Sequence, residues 1–252
     1  MKNNNKFRLD VWGAITLGTI ALYALFLLYP MAYLIRQSVL DPDTGGFTLA
    51  YFTKFFSKSY YFDTLINSFK VSITATVLSI AIGTPLAYLF TIFKIKGKSV
   101  LNILIVVASM SAPFIGAYSW ILLLGRSGVI TAFFKNLGIA IPDIYGFGGI
   151  VLVMTLQLFP LVFLYAKGAL KNIDNSLIEA AENLGCSGIA CFFKVVVPLI
   201  MPTLLAAALL VFMRSFADFG TPMLIGEGYR TFPVVLYTEF INEVGGSDGF
   251  AA

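Results

Sequence analysis

The sequence predicts an all-α fold, a polytopic bundle of transmembrane helices. Three observations predict it. Of the 252 residues 58% are hydrophobic and only 12% charged, about half the roughly 25% charged residues of a soluble domain. Mean hydropathy is +0.87. The apolar residues are also grouped: uncharged runs of 25, 23, 27, 23 and 19 residues lie between Asp10 and Arg36, Lys70 and Lys94, Lys98 and Arg126, Asp143 and Lys167, and Lys194 and Arg214. About 20 apolar residues, rising 1.5 Å each, cross a hydrocarbon core of roughly 30 Å. The runs lack the period-two alternation of a membrane β-barrel.

In chain order the expected spans are 11–35, 67–92, 100–124, 147–166 and 197–225. The first follows the basic stretch Met1–Arg8 and exceeds the roughly 7–15 apolar residues of a cleaved signal peptide. It therefore reads as a retained helix. The fifth is the least regular, because Arg214 and Asp218 fall inside it. Five spans put the two ends of the chain on opposite sides. The glycine-rich stretch Gly245–Gly249 reads as a flexible loop, so a sixth span is expected beyond residue 252. No linker divides the chain, which reads as a single membrane domain over 1–252.

Lysine and arginine near helix ends set orientation. The N-terminus, Phe93–Ser99 and Lys167–Lys194 together hold nine basic residues against seven in the loops of the other side. Lys94, Lys96 and Lys98 crowd one short turn. The N-terminus and the Lys167–Lys194 loop are therefore assigned to the cytoplasm, in a multi-pass protein of the cytoplasmic membrane surrounded by lipid.

The rare residues exclude other classes. There is no histidine, which removes the usual general base and most zinc sites. Cys186 and Cys191 match neither a CxxC pair nor a zinc knuckle. No metal site is expected, and the scattered basic residues do not form a nucleic-acid surface. Gly97-Lys98-Ser99 mimics the end of a P-loop, but the glycine required five residues earlier is Ile92. It reads as a basic turn, and neither a nucleotide site nor a catalytic one is expected on this chain.

The loop Lys167–Lys194 carries more information. Ser176 and Glu179 fit a capping box, with Ser176 as N-cap. Gly185 suits the left-handed residue that ends a helix. Ser187 is placed to cap a second short helix running to Lys194, and Pro198 and Pro202 suit the first turns of the next span. The result is a helical hairpin at the membrane surface, longer than the 2–8 residues of an idle connection.

Glu179-Ala180-Ala181, Gly185 and Val195-x-Val197-Pro198, twenty residues from Glu to Pro, resemble the EAA loop of binding-protein-dependent ABC importer permeases of the type I architecture. The family pattern has Ile and Leu where this chain has Val195 and Val197. Ser215–Gly226 is similar to the segment after that loop in the ferric-iron, phosphonate and polyamine branch. The resemblance runs from Asp63 onward. It implies a permease that imports ferric iron, with phosphonate or polyamine as alternatives. It gives Glu179, Ala180, Ala181, Gly185 and Pro198, within a coupling loop of about 168–198, the task of docking on a cytoplasmic ATPase. That ATPase uses the ATP, and this chain binds no cofactor. A substrate-binding protein would meet the external loop of about 226–252, where Val234–Ile241 reads as a short surface helix. A second permease half, separate or fused beyond residue 252, would complete the pathway.

Arg214 and Asp218 stand four residues apart and can pair on one helix face. Charges within a membrane usually face a bundle interior or an aqueous path, so both are candidate pathway residues. Gln157 and Tyr118 join them, with Ser119 and Tyr165 weaker. Trp120, Tyr51, Tyr60 and Tyr61 are expected at the membrane interfaces. A secondary transporter or channel is the competing reading, since Pro85, Pro113 and Pro160 interrupt spans.

Overall fold

The computed structural model describes residues 11–41, 45–93, 96–110, 112–139 and 142–241. The basic N-terminal stretch, Lys94 and the glycine-rich stretch from 245 onward lie outside the described residues. Five helices are long and apolar enough to cross a membrane. Among the described residues the one β feature is an isolated antiparallel bridge, Leu40–Phe47. The chain separates into two compact units, Met1–Phe62 with Leu236–Ala252, and Asp63–Val235.

In the first unit, α1 (Val11–Val39) is a single long helix. It contains a π turn at Ala24–Leu28, where the Tyr29 amide donates to the Ala24 carbonyl five residues back. Pro30 follows immediately. Its ring would strike the carbonyl of residue 26 in a regular α-helix and has no N–H to give it. A wider turn just before the proline accommodates that clash. No residue of α1 is buried. After α2 (Ala50–Ser57), Tyr61 is buried, and its hydroxyl donates to Glu239 Oε1 at 3.1 Å.

The second unit is arranged around α7 (Phe147–Lys171). Its neighbours are α3 (Ser59–Ile92), α4 (Lys98–Ser109), α5 (Pro113–Leu124), α9 (Gly188–Ala217) and α10 (Gly220–Ile225). Between apolar helices in lipid there is little hydrophobic drive. Close approach through small residues supplies van der Waals contact instead. Along α3 the buried small residues Ser72, Thr76, Ser79, Thr84 and Ala87 follow one stripe with Gly83. At Gly83 the backbones nearly touch: an added Cβ would lie 2.9 Å from both the Phe159 carbonyl oxygen and Val162 Cβ. Below it Ala87 and Phe90 pack with Phe163 and Ala166, and the Phe90 and Phe163 rings meet edge to face at 5.2 Å. On the opposite side of α7, Ser215 of α9 donates to Met154 Sδ at 3.1 Å. The hydroxyls of Ser68, Thr74, Thr76 and Thr91 donate to carbonyls four residues back, which keeps them satisfied without water.

Three expectations are corrected. The third span is not a continuous helix over 100–124. It breaks between α4 and α5, because Pro113 disfavours helical geometry at the preceding residue, and Ala112 is extended with ψ 141°. The long apolar stretch is Pro113–Asn136, itself divided into α5 and α6 (Val129–Asn136). The fifth span does not run from 197 to 225. It begins at Gly188, absorbs the short helix expected after Ser187, and stops at Ala217. Its π turn, Phe192–Val196, comes just before Pro198, with the Val197 amide donating to the Phe192 carbonyl. Finally, the first span does not stop at Ile35 but runs to Val39. Trp120 is partly buried and packs on the cluster around Ile150.

The end of the second unit opposite the Lys167–Lys194 loop is tied down by ion pairs. Arg126 bridges Asp143 at 3.2 Å and Glu227 at 2.9 Å and lies over the Tyr145 ring. The expected surface helix is present as α11 (Phe232–Ile241). Its first amide, on Phe232, donates to Ser68 Oγ at 2.8 Å.

The Gly83 contact gives a direct stability expectation. Gly83→Leu should lower the melting temperature of the purified protein, with an overpacking cost of about 1–3 kcal/mol. Gly148→Ala, whose added methyl meets nothing within 4 Å, should leave it unchanged or slightly raised. Equal melting of wild type and Gly83→Leu would show that the α3–α7 approach is not tight.

Candidate functional site

Two places combine exposure with defined polar geometry. The first is the hairpin that follows α7. After Lys171 the chain turns through Ile173 into α8 (Asn175–Asn183). The N-cap is Asp174, not Ser176: Asp174 Oδ1 accepts from the Ser176 amide at 3.0 Å. A carboxylate is the stronger acceptor and also meets the positive end of the helix. Hydrogen bonds from the Ser176 backbone and side chain hold the Asp174 carboxyl below its usual range. The cap therefore lies two residues before the expected one, and with Leu177 at the third helical position it is a single cap, not a capping box.

Gly185 closes α8 in the left-handed region, φ +85°. Around it the Leu184 amide donates to the Ala180 carbonyl and the Cys186 amide to the Ala181 carbonyl, both at 3.1 Å. Ser187 stands extended at the start of α9, but its hydroxyl makes no cap bond. Ile173 and Ile178 pack down on the buried cluster that includes Phe192 and Val196. The other face presents Glu179 and Ala180, both exposed, while Ala181 is half-buried. Leu184 and Ile189 are 89% and 79% exposed. Pro198 is exposed on α9, two turns past the hairpin. Cys186 and Cys191 are free thiols.

The second place is a cavity of about 440 Å³ where α9 ends. Its wall includes Ser109 at the end of α4, Phe114 of α5, Gln157 of α7, and Arg214, Asp218 and Phe219. Arg214 and Asp218 do not form the ion pair that their spacing allows. The chain leaves the helix at Asp218, ψ 120°, and the carboxylate turns to the next helix. Asp218 Oδ1 accepts from the amides of Gly220 at 2.9 Å and Thr221 at 3.3 Å, and Oδ2 accepts from Thr221 Oγ1 at 2.6 Å. Those three bonds define the corner between α9 and α10. Arg214 is exposed, and among the described residues no ion pair engages it.

Of the other expected pathway residues, Gln157 lines this cavity, whereas Tyr118 is exposed on α5 and is not part of its wall. Ser119 donates to the Ile115 carbonyl of its own helix, and Tyr165 lies elsewhere on α7. Ser109, Phe114 and Phe219 were missed in the sequence. The interruption at Pro113 was the available signal, since a helix break in a membrane is tolerated where it lines a cavity. Gly97-Lys98-Ser99 opens α4 as a turn, with Gly97 left-handed at φ +79°. Among the described residues no three His, Cys, Asp or Glu side chains converge.

The sequence profile of the binding-protein-dependent transport system inner membrane component matches residues 46–246, a stretch holding both the hairpin and the cavity. The chain belongs to this family. As a member of the inner membrane component family it is a multi-pass membrane protein. It is 28% identical over 220 residues to a putative ferric transport system permease protein, FbpB 1, of Haemophilus influenzae, covering 86% of this chain and 34% of that protein. With the FbpB protein of Actinobacillus pleuropneumoniae it shares 28% over 240 residues, 94% of this chain and again 34% of the relative. The chain thus spans about a third of the length of these ferric relatives. It is also 28% identical over 232 residues to the spermidine/putrescine permease PotB of Haemophilus influenzae, covering 88% of this chain and 79% of PotB. Its fold matches a chain of a bacterial ABC transporter involved in alginate import, with a TM-score of 0.75, 16% identity, and coverage of 96% of this chain and 87% of that one.

The Asp174 cap yields a pH-dependent expectation. Its pKa is depressed on folding, so the cap stabilises the hairpin above the unfolded carboxylate value, about 3.9, and is lost as pH falls through the lower folded value. Asp174→Ala should speed amide exchange over Ser176–Glu179 at neutral pH. The difference from wild type should shrink only in that acid range; equal exchange at neutral pH would remove Asp174 as the cap.

Proposed function

We propose that this chain is the membrane-spanning permease of an ATP-driven importer, and that its cargo is ferric iron handed over by an extracytoplasmic binding protein. The observation that carries this reading is the capped, outward-facing hairpin α8–Gly185 with the Glu179-Ala180-Ala181 pattern, in a chain of the inner membrane component family. A helix anchored by Ile178 on one side and bare at Glu179 and Ala180 on the other is built to be held by a partner. That partner would be a cytoplasmic ATPase, which binds and hydrolyses the ATP while this chain binds no cofactor.

The mechanism needs no chemistry here. The permease alternates between inward- and outward-open packings, and its partners bind the two unequally. Closure of the ATPase would move α8, and with it the start of α9, because Phe192 and Val196 pack under the hairpin. On the far side a loaded binding protein would favour the outward opening. One solved neighbour of the fold is an alginate transporter in complex with a periplasmic protein bound to an alginate pentasaccharide. A second permease half, as another copy, a related subunit or a fused continuation, would complete the path.

Iron is favoured by the two ferric relatives. The polyamine reading stays second, on the PotB relatives at similar identity. Uptake of radiolabelled iron and of spermidine by cells with and without the intact permease decides between them. Loss of iron uptake alone is expected on deletion; loss of spermidine uptake alone would replace the cargo.

Coupling has its own test. Glu179→Lys should leave the permease inserted and folded but reduce transport per ATP hydrolysed by tenfold or more, about 1.4 kcal/mol of lost coupling. Gly185→Val should do the same, because a β-branched residue is strained at positive φ. Native transport by either variant in an assembled complex removes the docking role.

The proposed orientation puts the N-terminus and hairpin in the cytoplasm. Single cysteines at Asn172 and Gly228, in a background with Cys186 and Cys191 replaced by serine, should label from opposite sides of the membrane, Asn172→Cys from within. Labelling from one side contradicts the five-span count.

A further inference from the structure

The cavity at the end of α9 holds one carboxylate and one guanidinium that do not pair with each other. Its carboxylate, Asp218, is already committed: both oxygens accept hydrogen bonds from the corner it builds, from the Gly220 and Thr221 amides and the Thr221 hydroxyl. Its guanidinium, Arg214, is not committed to any acid among the described residues. The wall therefore offers a permanent cation with several donors, beside the side-chain amide of Gln157; the Ser109 hydroxyl, also in the wall, already donates to the Val106 carbonyl. A guanidinium is charged at any physiological pH and presents its N–H groups as a fork that matches carboxylate and phosphonate oxygens. An unpaired charge on a membrane-spanning helix usually faces a bundle interior or an aqueous path, and Arg214 is exposed at the cavity.

We infer that the cavity at the α9–α10 corner is a transient solute site in which Arg214 receives an anionic oxygen group, a carboxylate or a phosphonate, carried by the cargo. This rests on the importer reading above and narrows its substrate class. A polyamine, entirely cationic, would be repelled by Arg214 and would meet an Asp218 carboxylate that already accepts three hydrogen bonds. A bare ferric ion would meet the same repulsion. Ferric iron fits the site as a chelate whose carboxylates face Arg214. The volume of about 440 Å³ lies in the range of small-molecule sites, roughly 300–1,000 Å³, large enough for such a complex.

The experiment uses the full-length permease purified with its ATPase in lipid nanodiscs. Equilibrium binding is measured for ferric citrate, citrate alone, methylphosphonate and spermidine, on wild type, Arg214→Lys and Arg214→Gln. At least one anionic probe should bind wild type. Its affinity should fall by about tenfold or more in Arg214→Gln, as expected for loss of a charge-assisted pair, and by less in Arg214→Lys. Spermidine should neither bind nor compete. Binding by ferric citrate without citrate alone assigns a chelate; binding by citrate or methylphosphonate alone assigns the free anion, and either supports the site. Because no ion pair is broken, melting of both variants should match wild type. Arg214→Lys, which keeps the charge, serves as the folded comparison if Arg214→Gln melts early. The inference is overturned if no anionic probe binds, if anion affinity is unchanged in Arg214→Gln, or if spermidine binds wild type. Failure of the importer reading is seen separately, as an ATPase that does not copurify with the wild-type permease.

Discussion

The close approach of α3 and α7 at Gly83 is the contact on which the second unit depends. In lipid, a bundle cannot rely on expelling water from between its helices. It needs surfaces that meet at atomic distance, and a glycine facing Phe159, Val162 and Phe163 creates one. From that contact α7 becomes the most enclosed helix, with Ile150, Val153, Met154, Val162, Phe163 and Ala166 all buried. Helices α4, α5, α9 and α10 then arrange themselves on its remaining sides. The hairpin leaves from its C-terminal end, and Gln157, near its middle, reaches the cavity.

Both regions of functional interest begin where a helix is interrupted and an aspartate takes over the freed amides. Asp174 does this at the start of α8, and Asp218 at the start of α10. The physical demand is the same: the first amides of a helix have no partner within it. The settings differ. Asp174 is bathed in solvent and organises an exposed hairpin. Asp218 lies in the bundle, where an irregular backbone is tolerated only beside protein or a cavity. Prolines shape the same elements more gently. Pro30 and Pro198 each follow a π turn, so α1 and α9 continue across them instead of breaking. Pro113 has no such turn before it, and there the chain separates into α4 and α5.

Much of the hairpin was legible because its signals are local. A left-handed glycine at 185, the Glu-Ala-Ala triplet and the run of helix formers between them each act over one or two turns. Even there the cap was misplaced, since serine at 176 and aspartate at 174 both satisfy a capping pattern, and the choice rests on which acceptor wins the amide of residue 176. The cavity was legible only in part. Arg214, Asp218 and Gln157 were recognisable as polar residues in apolar surroundings. Their pairing was misread, because four-residue spacing implies a neighbour only while the helix continues, and the helix stops at Ala217. Phe114 carries no polar signal, and Ser109 is one of several small hydroxyl residues scattered along apolar helices, so neither stood out.

The number and approximate position of the membrane helices follow from one-dimensional information, because hydrocarbon thickness imposes a minimum apolar length on each crossing. The apolar composition and the long uncharged runs likewise settle, without coordinates, that this is a helical membrane protein. Where a helix breaks or bends is a different matter. Pro113 ends a helix while Pro85, Pro160, Pro198 and Pro202 lie within one, and that difference depends on whether neighbouring backbone finds partners after the proline intervenes. The charge balance of the cavity is likewise a property of three-dimensional packing. A carboxylate engaged by Thr221 and a guanidinium left facing open space become distinguishable only once the corner between α9 and α10 has fixed the direction of each side chain.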